Sequence, residues 1–172
     1  EGNGHGLNIA AVNGNYCQNK AVYYNIFTGN KIGFAPNGYT ITGGLVYNNV
    51  FYGNTYGVSY MWYTTGGYTY KNNIFSSNTT NELYAGGNPS LTHTNNLYYR
   101  SSGNTVSFNG TNYILSAVKT TWELSCQNTD PKFASSPQFH LSSNSPAINA
   151  GVNVGLTQDH TGNAIIGLPD IG

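Results

Sequence analysis

The chain has 172 residues, of which six are Lys or Arg and six are Asp or Glu, for a formal net charge of zero. That balance excludes nucleic acid and anionic membrane surfaces as partners, because both are bound through basic patches. No run reaches the length of a membrane span, so no membrane insertion is expected. With 15 Tyr, 7 Phe and 2 Trp, the chain can build one continuous core, in a single domain over residues 1–172.

In chain order, Glu1-Gly2-Asn3-Gly4 leads into repeat-like sequence at Gly6-Leu7-Asn8-Ile9. With no signal peptide at its start, the chain reads as a mature or trimmed protein. From Lys20 to Arg100 a pattern recurs: Tyr24-Asn25-Ile26-Phe27, Asn48-Asn49-Val50-Phe51, Asn72-Asn73-Ile74-Phe75 and Asn95-Asn96-Leu97-Tyr98. The steps between the central asparagines are 24, 24 and 23 residues. A second asparagine follows five residues later in the first three (Asn30, Asn54, Asn78), and Ser101 takes that place in the fourth. A fixed period of this size marks a repeat architecture. The residues favour strands and turns and show no helical spacing.

A parallel β-helix coil of ~24 residues fits, with three short strands each pairing with the same strand ~4.8 Å further along the axis. The recurring asparagine is expected to take left-handed backbone at a corner and to form an amide ladder. Three columns should point inward: Val22, Val46, Tyr70 and His93; Phe27, Phe51, Phe75 and Tyr98; and Phe34 with Val58. Gly33 and Gly57, which precede the last pair, suit a turn or bulge. Alternation puts Tyr23, Tyr47, Lys71 and Thr94 outside, and Thr28, Tyr52, Ser76 and Tyr99 form a second outer row.

Cys17 and Cys126 lie about four coils apart, ~19 Å along the stack. A disulfide needs Cα atoms within ~7 Å, so both should be unpaired unless the C-terminal region folds back. Two lone cysteines do not make a zinc site. Asn78-Thr79-Thr80 and Asn109-Gly110-Thr111 match the glycosylation acceptor pattern.

The regular coils end near residue 102, and residues 103–172 form C-terminal coils and a cap. Within them, Ile114 to Leu124 has helical spacing, with Leu115, Val118 and Trp122 on one face, and suits a lid over the open end. Four short motifs follow: Asp130-Pro131-Lys132-Phe133, Phe139-His140-Leu141, Ser145-Pro146-Ala147-Ile148-Asn149-Ala150-Gly151 and Pro169-Asp170-Ile171-Gly172. In this order they resemble the C-terminal portion of the right-handed parallel β-helix proteins of the pectate-lyase-like superfamily, over roughly residues 20–172. The resemblance implies a secreted, extracellular or cell-surface protein from that group. It also implies either a piece of a larger carbohydrate-active or surface protein whose further coils precede it, or a short member with its own end-to-end packing. It does not single out an activity, since lyases, hydrolases and surface proteins share these motifs.

Polysaccharide is the partner this reading expects. Sugar rings stack on flat aromatic faces, and Tyr23, Tyr47, Tyr52, Tyr60, Trp62 and Tyr99 are the candidate carbohydrate-binding residues. The competing explanation for these tyrosines is packing within the sheet. Polysaccharide lyase activity would need a base and a cation on neighbouring coils, for which Lys71, His93 and Arg100 are the candidates. His93 falls in an inward column, which favours a buried, hydrogen-bonded role. The hydrolase alternative needs paired carboxylates, and none of Glu1, Glu82, Glu123, Asp130, Asp159 and Asp170 repeats in adjacent coils. The three C-terminal aspartates are expected to cap turns. No cofactor is implied, although calcium among turn carbonyls stays open. End-to-end self-association into filaments is a third, structural reading.

Overall fold

The structure is a computed structural model that describes residues 4–60, 65–86, 90–134 and 138–172. Its strands are β1 (His5–Gln18), β2 (Ala21–Tyr23), β3 (Ile26–Thr28), β4 (Ile32–Tyr47), β5 (Val50–Tyr52), β6 (Tyr56–Tyr60), β7 (Thr65–Lys71), β8 (Ile74–Ser76), β9 (Asn81–Ala85), β10 (Thr92–Thr94), β11 (Leu97–Tyr99), β12 (Asn104–Phe108) and β13 (Thr111–Ile114). They stack in parallel as a β-solenoid. One face is the four-stranded sheet β3-β5-β8-β11. The other two faces belong to one nine-stranded sheet, because β1 and β4 are long enough to run through both. Register shifts between Ala11 and Tyr16 in β1, and between Ile41 and Gly44 in β4, mark where these strands change face.

The sequence columns pair in the expected register: Phe27 with Phe51, Phe51 with Phe75, and Phe75 with Tyr98. All four are buried, and their rings stack at 4.9, 4.9 and 5.2 Å. That spacing is the inter-strand distance itself, which is why one aromatic per coil fills the core without gaps. The third column continues from Phe34 and Val58 to Leu83 and Val106, all fully buried.

Gly33 and Gly57 serve another purpose than a turn. Neither has positive φ; a Cβ on Gly33 would lie 2.6 Å from the Gly57 carbonyl oxygen, and one on Gly57 would lie 2.5 Å from that of Glu82. The coils approach too closely there for any side chain.

At the corners, the roles expected of a single asparagine are divided between two neighbours. Tyr24, Asn48, Asn72 and Asn95 take the left-handed backbone, with φ of 56°, 51°, 53° and 53°. The following Asn25, Asn49, Asn73 and Asn96 form the ladder. Each donates its backbone N–H and Nδ2 to the Oδ1 of the next, at 3.0–3.1 Å. A second ladder runs through Asn30, Asn54 and Asn78 in the same way. The Asn78 amide is thereby buried and bonded, which removes it as a glycosylation acceptor in the folded chain, whereas Asn109 is exposed in the turn between β12 and β13.

Both ladders end on a carboxyl group. Glu123 lies one coil below Asn96; its Oε1 accepts the Asn96 backbone N–H at 2.8 Å, and its Oε2 accepts Nδ2 at 3.0 Å. Glu82 sits in register with the column of Gly33 and Gly57, and turns its side chain onto the Asn78 N–H and Nδ2. It accepts in place of the next rung, because the fourth coil has Ser101 where the earlier coils have asparagine. The corner of that coil, residues 100–104, is held by Arg100.

The C-terminal end of the stack is covered as the Ile114 to Leu124 spacing suggests, although by one α-helical turn (Leu115–Ala117) and a π-helical turn (Val118–Trp122). Val118 is fully buried against the core. β13 closes β12 in antiparallel pairing. Cys17 and Cys126 are both free and buried. From residue 130 the chain folds back along the outside of the four-stranded sheet. Phe139, Ala147 and Ile171 there pack on Val50, Ile74 and Leu97 as a second hydrophobic cluster.

Candidate functional site

The left-handed corner column decides how this C-terminal tail is held. Side chains of its residues point outward, away from the ladder. Asn48 Nδ2 donates to the Asp170 carbonyl at 3.0 Å and Asn95 Nδ2 to that of Ala150 at 3.2 Å. Asn72 makes a two-way clamp, donating to the Val152 carbonyl at 2.8 Å and accepting its N–H at 2.9 Å. In the first coil the column holds Tyr24, whose hydroxyl donates to the Gln158 carbonyl at 2.5 Å. A phenol reaches further than an amide, and at this coil the tail stands off. The gap is a cleft of about 430 Å³, within the usual range of ligand pockets.

One wall of the cleft is the outer face of the first coils, with Ile26, Val50 and Ile74. The other is the hairpin around Asp159-His160-Thr161-Gly162-Asn163, with Ile165, Ile166 and Leu168. The hairpin is tied by the bridge between Gln158 and Ala164. Asp159 Oδ1 accepts from Thr161 N, Thr161 Oγ1 and Asn163 N, each at 2.8 Å. These donors hold its carboxyl down at about 2. His140 and His160 face each other at the rim, ring centroids 5.8 Å apart. Asp130 and Asp170 also cap turns, accepting the N–H of Lys132 and Asn149.

Beside the cleft, around the corner at Tyr24, lies the first outer row. Tyr23 and Tyr47 stack in parallel, centroids 5.0 Å apart and planes 1° off, and Tyr23 is 46% exposed. Tyr24 meets Tyr23 edge-on at 5.7 Å. Leu45, in the same strand as Tyr47, is exposed as well. The result is an aromatic ledge that runs into the cleft.

The remaining candidates for carbohydrate binding are placed otherwise. Tyr52 and Tyr99 are not on an open face: the tail covers them, with Phe139 4.9 Å and Phe133 6.0 Å from the Tyr52 ring. Tyr60 is 1% exposed, with its hydroxyl 2.9 Å from that of Tyr70; it continues the inward alternation from Val58. Trp62 lies outside the described residues.

Lys71, His93 and Arg100 are not brought together. Lys71 pairs with Thr94, and Tyr70 with His93, so Lys71 and His93 belong to opposite faces of the sheet. His93 stacks on Trp122 at 4.1 Å, and its Nδ1, 3.6 Å from Glu123 Oε2, has no hydrogen-bond partner among the described residues. Arg100 is occupied as a corner clamp, donating to the carbonyls of Ser102, Thr80, Asn104 and Thr79 at 2.5, 2.8, 2.5 and 3.2 Å. Glu82 and Glu123 sit at separate corners, and among the described residues no cluster of three potential metal ligands occurs.

Sequence reasoning missed Tyr24 and the hairpin. The departure from Asn-Asn in the first repeat was the available signal for Tyr24. Compared with protein families, curated proteins and solved structures, the chain gives no match.

Proposed function

We propose that the protein recognises a polysaccharide along the ledge formed by Tyr23 and Tyr47 and in the cleft beyond Tyr24, and does so outside the cell without cleaving it. The parallel tyrosine pair, with Tyr23 exposed and Tyr47 half-buried, carries this reading. The two rings stack on each other at strand spacing, so what they offer to sugar C–H groups is the open surface of Tyr23 and the ring edges of both. The Oδ1 of Asn25 and the amide of Asn149 at the cleft are suited to hydroxyls. The order of the C-terminal motifs supports a relation to the pectate-lyase-like superfamily, and with it an extracellular setting. Dispersal of Lys71, His93 and Arg100 favours binding over lyase chemistry.

The test is size-exclusion chromatography with a panel of polysaccharides, following protein and polymer together. Wild type is expected to co-elute with at least one polymer of unchanged length, and Tyr23→Ala/Tyr47→Ala to lose about tenfold or more in affinity. Unaltered binding by the double variant sinks the ledge, and a shortened polymer sinks the non-catalytic reading.

A further inference from the structure

We infer that the cleft beyond Tyr24 accepts an uncharged sugar unit and rejects a uronic acid. This rests on the glycan reading of the tyrosine ledge, and specifies the substrate class of that site.

Three observations meet in the cleft. Its walls carry apolar side chains left open to solvent: Ile26 is 44% exposed, Leu168 60% and Ile166 90%. Apolar side chains this exposed, gathered on one concavity, mark a binding surface. They suit the C–H face of a sugar ring, not its charged substituents. The charge of the lining has one sign. Asp159 and Asp170 line the cleft, while no lysine or arginine among the described residues does. Both carboxylates are held by neutral donors of the turns they cap. Finally, the polar groups at the rim are the Oδ1 of Asn25, whose Nδ2 is engaged in the ladder, the amides of Gln138 and Asn149 and the imidazoles of His140 and His160. Such groups read hydroxyls.

A uronate carboxylate lodged here would face two fixed negative charges and leave its hydration for a partly apolar wall. At separations of several ångströms this repulsion corresponds to roughly tenfold or more in affinity at low salt, and shrinks as salt screens it.

The experiment is calorimetric titration of the whole chain at low salt and pH 8, above the ordinary histidine range. The probes are β-1,4-linked hexasaccharides of glucose, xylose and mannose, compared with hexagalacturonate. At least one neutral hexasaccharide is expected to bind, with hexagalacturonate at least about tenfold weaker. Asp170→Asn, whose amide oxygen still accepts the Asn149 N–H, should narrow that gap severalfold. Hexagalacturonate binding as tightly as the neutral sugars, or a gap untouched in Asp170→Asn, overturns the inference while leaving the ledge standing. Failure of every sugar to bind overturns the ledge and the inference together.

Discussion

At the scale of single residues, this protein separates two jobs that one amino acid type can do. In each Asn-Asn pair the first residue adopts the left-handed corner and reaches out to the tail, and the second turns in and joins the ladder. Inward and outward asparagines therefore differ in what their loss leaves unpaired. Asn73 Nδ2 donates to the carbonyls of Val46 and Lys71 as well as to Asn96, and its Oδ1 accepts two N–H groups of Asn49. Asn73→Ala should cost about 2–4 kcal/mol, since buried groups lose partners with no water to replace them. Asn72→Gly, which keeps the left-handed corner free of strain, should cost less, because the bonds it loses to Val152 are only part-buried, and should loosen the tail first. Urea unfolding of both variants checks the order.

Glu82 is the second residue-scale test. Burial pushes its carboxyl from an ordinary 4.5 up to about 8, against the opposing pull of the Asn78 donors and Arg100. A folded-state value above the unfolded one favours the protonated form. The stability it contributes is therefore full below about 4.5 and is lost as pH rises through about 8. Wild type should lose stability between pH 5 and 9, and Glu82→Gln should flatten that slope. Parallel pH profiles of the unfolding midpoint for the two proteins would contradict it.

At the scale of elements, the strand that follows each second ladder corner owes its close stacking to glycine. Gly33 and Gly57 in β4 and β6 lie against carbonyl oxygens of the next coil, and backbone on neighbouring paired strands has nowhere to move. Gly57→Ala should destabilise by about 2–4 kcal/mol, read from thermal melts. Gly110→Ala, in the open turn between β12 and β13, meets no atoms of the described residues and is limited to the strain of its positive φ, about 1 kcal/mol. Equal losses at the two sites would refute the close-approach account.

For the whole molecule, both ladders have a direction. Every rung donates toward the C-terminal coils, and the last acceptors are the carboxyls of Glu123 and Glu82. At the opposite end the Oδ1 atoms of Asn25 and Asn30, also acceptors, take no donor among the described residues. Copies stacked head to tail would set acceptor against acceptor at both corners, over an end already covered by β13 and the helical turns. The expectation is a monodisperse monomer in light scattering at high concentration. Concentration-dependent growth toward the void would restore the filament reading.

The period, the inward columns and the ladder are legible in the sequence, because coil stacking is a nearest-neighbour interaction: equivalent positions meet one period apart, and the spacing says which residues touch. Phe27, Phe51 and Phe75 go inside on spacing alone. The same logic correctly sets Tyr23 and Tyr47 outside. It fails where the contacts come from sequence that does not repeat. Tyr52 and Tyr99 read as a second open row, yet tail residues such as Phe133, Phe139 and Leu141 fold back over them, and no period relates that tail to the sheet it covers. No carboxylate repeats in the column of Glu82 or near Glu123 in the sequence. Their closing roles arise because the fourth coil lacks an asparagine to accept from Asn78, and because the chain beyond it brings Glu123 beneath Asn96. The cleft, too, belongs to tertiary structure alone. It exists because one longer side chain, Tyr24, meets a hairpin more than a hundred residues away, and that distance sets an opening no local pattern encodes.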